Sequence, residues 1–202
     1  MAHVLSLRRK EDNLMKETRT GRLVTSAVLL ALATVLSLIR VYKLPLGGSV
    51  TLLSMLPVCL LSIRCGAGWG MLCSLFYGVI QIALSFGELM SWGMTAGTWV
   101  GCLLFDYLLA YGSLGVAGLF RRHSAGGIAG GIGLAMVLRF VCHFISGTIF
   151  FAVWCPVGWN AALYSLCYNG SYMLPEMVFT MLGALALFRG PRTRSFLAGA
   201  RS

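Results

Sequence analysis

Charged side chains are scarce in this chain: Asp, Glu, Lys and Arg make up 11% of its 202 residues, against roughly 25% in a typical soluble domain. Hydrophobic residues make up 58%, and the mean hydropathy is +0.83. So apolar a chain lacks the polar coat of a soluble protein, and the lipid bilayer is the solvent that fits it. The length suits one helical bundle and leaves no room for a second soluble domain.

The common catalytic motifs are also missing. Lysine occurs only at positions 10, 16 and 43, and none of these lies in a G-x-x-x-x-G-K-[ST] phosphate loop. The three histidines form no H-E-x-x-H motif, and no serine lies in G-x-S-x-G. The seven cysteines contain no C-x-x-C pair, which argues against a zinc site or a disulfide framework. We therefore expect neither an enzyme nor a resident metal or cofactor.

The net charge of +10 has a distribution that speaks against nucleic-acid binding. Six of the 16 basic residues precede the first apolar stretch, and four follow the last one. Basic residues beside membrane spans set the orientation of the protein and contact anionic lipid headgroups. Membrane lipid, rather than nucleic acid, is the partner that this pattern predicts.

Six apolar stretches are predicted to be transmembrane helices. They cover residues 22–41, 50–63, 67–87, 95–120, 127–152 and 160–188. Pro57 predicts a kink in the short second helix. Thirteen basic residues fall on the side of the termini, against Arg40 and Lys43 on the opposite side, so both termini are predicted to be cytoplasmic. The expected fold is an all-α integral membrane bundle of six helices over 22–188, with basic cytoplasmic tails at 1–21 and 189–202.

A few polar and ionisable residues lie deep inside these stretches, where they are costly unless paired or placed in a wet cavity. They are Asp106, Arg139, His143, Tyr164, Asn169 and Glu176. Three explanations are open: a structural pair of Asp106 with Arg139, a proton or ion relay, or a pocket for a cationic or hydrogen-bonding ligand. Nearby aromatic residues such as Tyr107 favour the pocket, because they supply stacking faces and cation–π partners.

Several motifs resemble the substrate-binding S components of energy-coupling factor (ECF) vitamin transporters, most closely the thiamine-specific members. The most specific is Arg139-Phe-Val-Cys-His143-Phe-Ile-Ser-Gly147-Thr-Ile-Phe. It is followed by Leu163-Tyr164-Ser165 and Tyr168-Asn169-Gly170, and preceded by Asp106-Tyr107-Leu-Leu-Ala in helix 4. Residues 45–51 are similar to the gating loop of the family.

The resemblance implies a protein of the bacterial cytoplasmic membrane that captures thiamine from outside and docks on a transmembrane coupling protein with two ATPase subunits. The docking face would contain Ala27 and Ala31. The resemblance also implies a hydrogen bond from the aminopyrimidine to Asp106, and it places Phe151 where the family has a pocket tryptophan. The expected ligand-binding residues are Asp106, Tyr107, Arg139, His143, Phe151, Tyr164 and Asn169.

Other functions remain open at this point. An S component for another vitamin or a thiamine precursor would use the same architecture. A stand-alone ion-coupled carrier would use Asp106 and His143 as a proton relay, whereas a membrane enzyme or assembly factor would leave Asp106 and Arg139 purely structural.

Overall fold

The computed structural model describes residues 18–120 and 124–198. Seven helices, one β-hairpin and two 3-10 turns, at Pro45–Gly47 and Ala152–Trp154, make up this part of the chain. The helices are α1 (Arg19–Leu38), α2 (Met55–Cys65), α3 (Ala67–Ser91), α4 (Ala96–Phe120), α5 (Ala125–Ile149), α6 (Ala161–Arg189) and α7 (Pro191–Ala198). The strands are β1 (Arg40–Lys43) and β2 (Ser49–Thr51).

Polar side chains immediately before three of the long helices fix where these helices begin. Thr18 Oγ1 accepts from the Gly21 N–H at the start of α1, and Ser124 Oγ accepts from Gly127 at the start of α5. Asn160 Oδ1 accepts from two N–H groups in the first turn of α6. Each side chain satisfies donors that have no partner within the helix, which stabilises the helix start by about 1 kcal/mol.

Five of the described helices, α1 and α3 to α6, are long and apolar enough to cross a membrane. They have 20 to 29 residues, and many of their large apolar side chains face outward, as lipid contact requires. The protein is therefore membrane-embedded and mostly helical.

Helix α2 differs from these five because it has only 11 residues. At 1.5 Å per residue it is about 16 Å long, roughly half the thickness of the hydrocarbon core. Nine of its residues, Met55 to Ile63, are buried inside the protein. Pro57 lies in the first turn, where backbone N–H groups have no partner within the helix. Its missing N–H therefore breaks no helical hydrogen bond, and the kink that the sequence predicted is not required.

The prediction of an all-α chain was wrong between α1 and α2, where the structure forms an antiparallel hairpin. Tyr42 pairs with Val50, and Lys43 pairs with Ser49. Leu46 and Gly47 have φ of 62° and 87° in the connecting turn, a conformation that suits glycine. The turn reverses the chain, so residues 40–41 and 50–51 lie in strands and not in the helices predicted over 22–41 and 50–63.

Helix α4 changes its winding along its length. It is α-helical over Ala96–Gly101, π-helical over Cys102–Leu109, α-helical over Ala110–Gly112 and a 3-10 helix over Ser113–Phe120. In the wide segment the Ala110 N–H reaches the carbonyl of Phe105, five residues back. Segments of this kind are rare and occur frequently at functional sites. Asp106 lies in the middle of this one.

The main apolar core fills the half of the bundle away from the hairpin. It joins α2 to the 3-10 end of α4, the first half of α5 and the last turns of α6. Gly118 allows one of the close approaches in this core: a Cβ atom there would overlap the backbone of the turn between α2 and α3. The half nearer the hairpin encloses a cavity.

At the C-terminal end, helix α7 falls within residues 189–202, which the sequence predicted to be a cytoplasmic tail. It packs on α2 and α6, and its Leu197 is buried. The structure describes residues 18–21 of the N-terminal segment, where α1 begins, and residues 1–17 lie outside the described part.

Candidate functional site

The cavity lies beneath the hairpin, among α3, α4, α5 and α6. All seven residues predicted to bind a ligand line it: Asp106, Tyr107, Arg139, His143, Phe151, Tyr164 and Asn169. They come from the π-helical segment of α4, the second half of α5, the turn after α5 and the first third of α6. The structure thus brings the whole predicted set together, and their roles toward a ligand stay predictions.

Asp106 is held by two side chains of α5. Its Oδ1 lies 2.8 Å from His143 Nδ1, and its Oδ2 accepts a hydrogen bond from Ser146 Oγ at 2.5 Å. The Asp106 and His143 side chains are 15% and 12% exposed. The structural pair considered from the sequence, Asp106 with Arg139, is not formed. Asp106 pairs with His143 instead, which leaves a polar centre facing the cavity.

Arg139 lies one turn before His143 and is 7% exposed. Its guanidinium stacks 4.0 Å from the ring centroid of Tyr111. Within residues 18–120 and 124–198, no carboxylate oxygen lies within 4.0 Å of it, and its Nη1 has no hydrogen-bond partner. The cavity therefore contains a buried donor with spare capacity. His143 Nε2 is a second buried polar atom without a hydrogen-bond partner among the described residues.

The side-chain amide of Asn169 is fixed by hydrogen bonds within the protein. Its Nδ2 donates to the carbonyl oxygens of Ser165 and His143, and its Oδ1 accepts from the Tyr172 hydroxyl at 2.8 Å. The α5–α6 contact is tight here, because a Cβ atom on Gly147 would overlap Ser165 Oγ. These bonds fix the orientation of the amide before any ligand enters.

Aromatic side chains form the walls of the cavity. Phe151 meets Trp92 edge to face, with ring centroids 6.1 Å apart, and Tyr107 stacks on Tyr111 at 6.2 Å. Trp92, which follows α3 directly, was missed by the sequence analysis. Such walls suit flat or cationic ligand groups.

The mouth of the cavity carries an ion-pair cluster that sequence reasoning also missed. Glu88, near the end of α3, lies 3.4 Å from Arg40 Nη1 and 3.0 Å from Lys43 Nζ, both on β1. Glu88 and Arg40 line the cavity themselves. One feature of the sequence could have revealed the cluster: Glu88 is the single carboxylate in the connections predicted on the side of the membrane opposite the termini. The cluster ties the first strand of the hairpin to α3.

The hairpin is also tied to α6. The Tyr168 hydroxyl accepts from the Gly48 N–H at 3.1 Å and donates to the Pro45 carbonyl. Deeper down, both oxygens of Glu176 accept hydrogen bonds from Thr51, one from its hydroxyl at 2.6 Å and one from its N–H at 3.4 Å. The buried Glu176 carboxylate thus anchors the base of the hairpin, whereas the Glu88 cluster and Tyr168 hold its outer part.

Ala27 and Ala31, predicted to mediate docking, are both exposed on α1. The opposite face of this helix is buried, with Ser26, Leu30 and Ala33 packed inward. The exposed face is apolar, and the two alanines lie on it among larger exposed side chains such as Val24 and Val28. It is available to either lipid or another protein.

Membrane-length helices around a polar, aromatic-lined cavity define a membrane protein that binds a small molecule. Residues 23–194 match the family model described as thiamine transporter protein (Thia_YuaJ). The chain is 31% identical over 181 residues to the thiamine transporter ThiT of Bacillus subtilis. The aligned region covers 83% of this chain and 90% of that protein. This chain belongs to the thiamine transporter protein family.

A solved structure of ThiT from Listeria monocytogenes has the same fold, with a TM-score of 0.71 at 22% identity, over 87% of this chain and 98% of that one. The resemblance to thiamine-specific transport proteins that the motifs indicated is thus confirmed, and the family comprises transporters rather than enzymes.

Proposed function

We propose that this chain is the thiamine-binding S component of an ATP-driven ECF importer, and that thiamine binds in the cavity beneath the hairpin. The observation that carries the proposal is Asp106, a carboxylate held by His143 and Ser146 at the wall of an aromatic-lined cavity. Family membership and the similarity to Bacillus subtilis ThiT support thiamine as the ligand.

The chemistry of thiamine suits this cavity. Its thiazolium ring carries a permanent positive charge, which a carboxylate attracts strongly in surroundings of low dielectric constant. Its aminopyrimidine offers an amine to Asp106, and ring nitrogens that accept from a donor such as Arg139 Nη1. Phe151, Tyr164 and Tyr107 supply flat faces for the two rings.

The proposal is tested by thiamine binding to the purified chain in detergent, followed by quenching of tryptophan fluorescence. Trp92 lines the cavity and is the expected reporter. Asp106→Asn removes the charge but keeps the size of the side chain. Loss of a charge-assisted hydrogen bond costs about 1.5–3 kcal/mol, so the dissociation constant is expected to rise roughly 10- to 150-fold.

Two further variants make this result specific. Trp92→Phe is expected to remove most of the fluorescence signal while calorimetry still detects binding. Glu176→Gln neutralises the other deeply buried carboxylate, which contacts Thr51 rather than the cavity, and is expected to change thiamine affinity less than Asp106→Asn. Absence of thiamine binding in a chain with a normal thermal transition would contradict the proposal and direct the search to other vitamins and thiamine precursors.

Membrane topology is part of the same proposal. We infer that α2 together with the residues around it forms a sixth crossing, and that both termini are cytoplasmic in a bacterial membrane. The supporting observation is that the described arginines that do not line the cavity lie at the end of the bundle where α1 begins and α6 ends. Cysteine labelling from either side of the membrane at position 18 and at position 158 tests this orientation.

Docking on a coupling protein with two ATPases is proposed to use the exposed α1 face. Ala31→Trp would place a large ring where helices need to approach closely, and it is expected to abolish capture of the module while thiamine binding persists. Val178→Trp, on the exposed face of α6, is the matched control. Equal capture by both variants would move the docking surface away from α1.

An ion-coupled carrier is the second candidate, because Asp106 and His143 are in direct contact at 2.8 Å, as a proton relay requires. Thiamine uptake by vesicles that contain this chain alone discriminates between an ion-coupled carrier and an S component. Uptake driven by a proton gradient without ATPase subunits would support the carrier, and the S-component proposal expects none.

A further inference from the structure

The end of the bundle opposite the hairpin carries only positive charge among the described residues. Six arginines lie there, at the start of α1, the end of α2, the end of α6 and along α7: Arg19, Arg22, Arg64, Arg189, Arg192 and Arg194. The three carboxylates of the described part are elsewhere. Glu88 and Asp106 line the cavity, and Glu176 holds the hairpin.

Several of these arginines are fixed in place by contacts with aromatic residues and backbone carbonyls. The Arg22 guanidinium lies 4.1 Å from the ring centroid of Trp69. Arg64 lies 4.2 Å from the ring of Phe196 and also donates to the Phe196 carbonyl. Arg194 Nε donates to the carbonyl of Phe188 at 2.8 Å. Because their positions are set by the fold, these guanidinium groups lose little freedom when they bind a ligand.

Helix α7 has one apolar side packed on the protein and one exposed basic side, an arrangement that suits a membrane surface. Its Leu197 is 4% exposed and joins the main core, and Phe196 packs against that core. Arg192 and Arg194 are exposed on its other side, beside the exposed Arg189 at the end of α6. An anchored short helix that presents guanidinium groups beside membrane spans places them at the depth of the lipid headgroups.

We propose that this arginine surface binds the phosphate groups of anionic phospholipids, with α7 as its principal element. Guanidinium groups pair with phosphate oxygens in a bidentate manner, and Arg189, Arg192 and Arg194 are exposed at the end of α6 and along α7. The same charge could contact an acidic protein partner, but the half-buried Trp69 beside Arg22 favours the lipid interface, where tryptophan is enriched. The inference holds whichever vitamin occupies the cavity.

The test measures lipid retention by native mass spectrometry of the full chain, purified and titrated with phosphatidylglycerol and phosphatidylcholine in equal amounts. We expect the wild-type chain to retain phosphatidylglycerol preferentially. Each basic residue near an anionic surface contributes about a fivefold preference. Replacing Arg189, Arg192 and Arg194 together by Gln is therefore expected to lower the preference at least tenfold.

Replacement of the same three arginines by Lys is the matched control, because it keeps the charge and loses only the bidentate geometry. It should keep most of the preference. If the Gln triple variant does not fold, Arg192→Gln alone is measured, with an expected loss of about fivefold. Equal retention of the two lipids by the wild-type chain overturns the proposal. So does an unchanged lipid preference in a Gln variant that captures the ATPase-bearing module less well, since that outcome assigns the surface to a protein.

Discussion

Neutralising Glu88 is expected to speed the release of thiamine by holding the hairpin less firmly over the cavity. Glu88 forms two ion pairs with the hairpin, at 3.4 Å to Arg40 and 3.0 Å to Lys43. The three side chains are 33%, 49% and 27% exposed for Arg40, Lys43 and Glu88. Partly exposed pairs are each worth about 0.2–1 kcal/mol, and together we take them as about 1 kcal/mol.

That energy predicts a dissociation rate about fivefold higher in Glu88→Gln, if the pairs stabilise only the closed hairpin. The association rate should fall as well, because a carboxylate at the mouth attracts a cationic ligand. Lys43→Gln separates the two effects. It breaks one pair and raises the dissociation rate about two- to threefold, but it removes positive charge from the mouth and so does not slow association.

Stopped-flow fluorescence with Trp92 as reporter measures both rates. In about 1 M salt the Debye length shrinks to about 3 Å, so the wild-type dissociation rate should approach that of Glu88→Gln. In the double variant Glu88→Gln/Lys43→Gln, dissociation should be hardly faster than in Glu88→Gln alone, because the shared pair is already lost. Identical dissociation rates in wild type and Glu88→Gln at low salt would refute the role of the cluster.

Three further predictions concern close contacts. Tyr168→Phe removes the hydroxyl that bonds Gly48 and Pro45, so stopped-flow dissociation of thiamine should accelerate about fivefold for a loss of about 1 kcal/mol. Gly147→Ala forces α5 away from Ser165, and calorimetry should show weaker thiamine binding by about 1–3 kcal/mol. Gly118→Ala should lower the thermal transition, because its Cβ would overlap backbone atoms, whereas Gly133→Ala, with no atom within 4 Å, should not. Equal transitions for these two would contradict the packing described for α4.

The hydropathy of the chain predicted much of the fold correctly. The five long helices match the predicted stretches to within a few residues, because the transfer of a segment into lipid depends mainly on its own composition. The exception is the region around residues 40–53. Its apolar residues suited a helix as well as a strand, and the reversal at Leu46 and Gly47 depends on contacts with Tyr168 and Trp92 far along the chain.

The candidate site was predictable in part of its members but not in its pairings. Ionisable residues in an apolar stretch are conspicuous, and all seven chosen residues line the cavity. Arg139 and His143 are four positions apart and so share one face of a helix. That spacing does not show which of them reaches Asp106. The answer, His143, depends on the rotation and depth of α5 against the π-helical segment of α4.

The sequence by itself determined that the chain lies in a membrane, where its long helices run, and which polar residues need a protein or ligand partner, since each of these follows from local composition. Only the tertiary structure decided that Asp106 bonds His143 and Ser146, that Glu88 and Trp92 belong to the mouth, and that Glu176 anchors the hairpin. Those contacts join residues about 40 to 125 positions apart, and the packing of whole helices sets them.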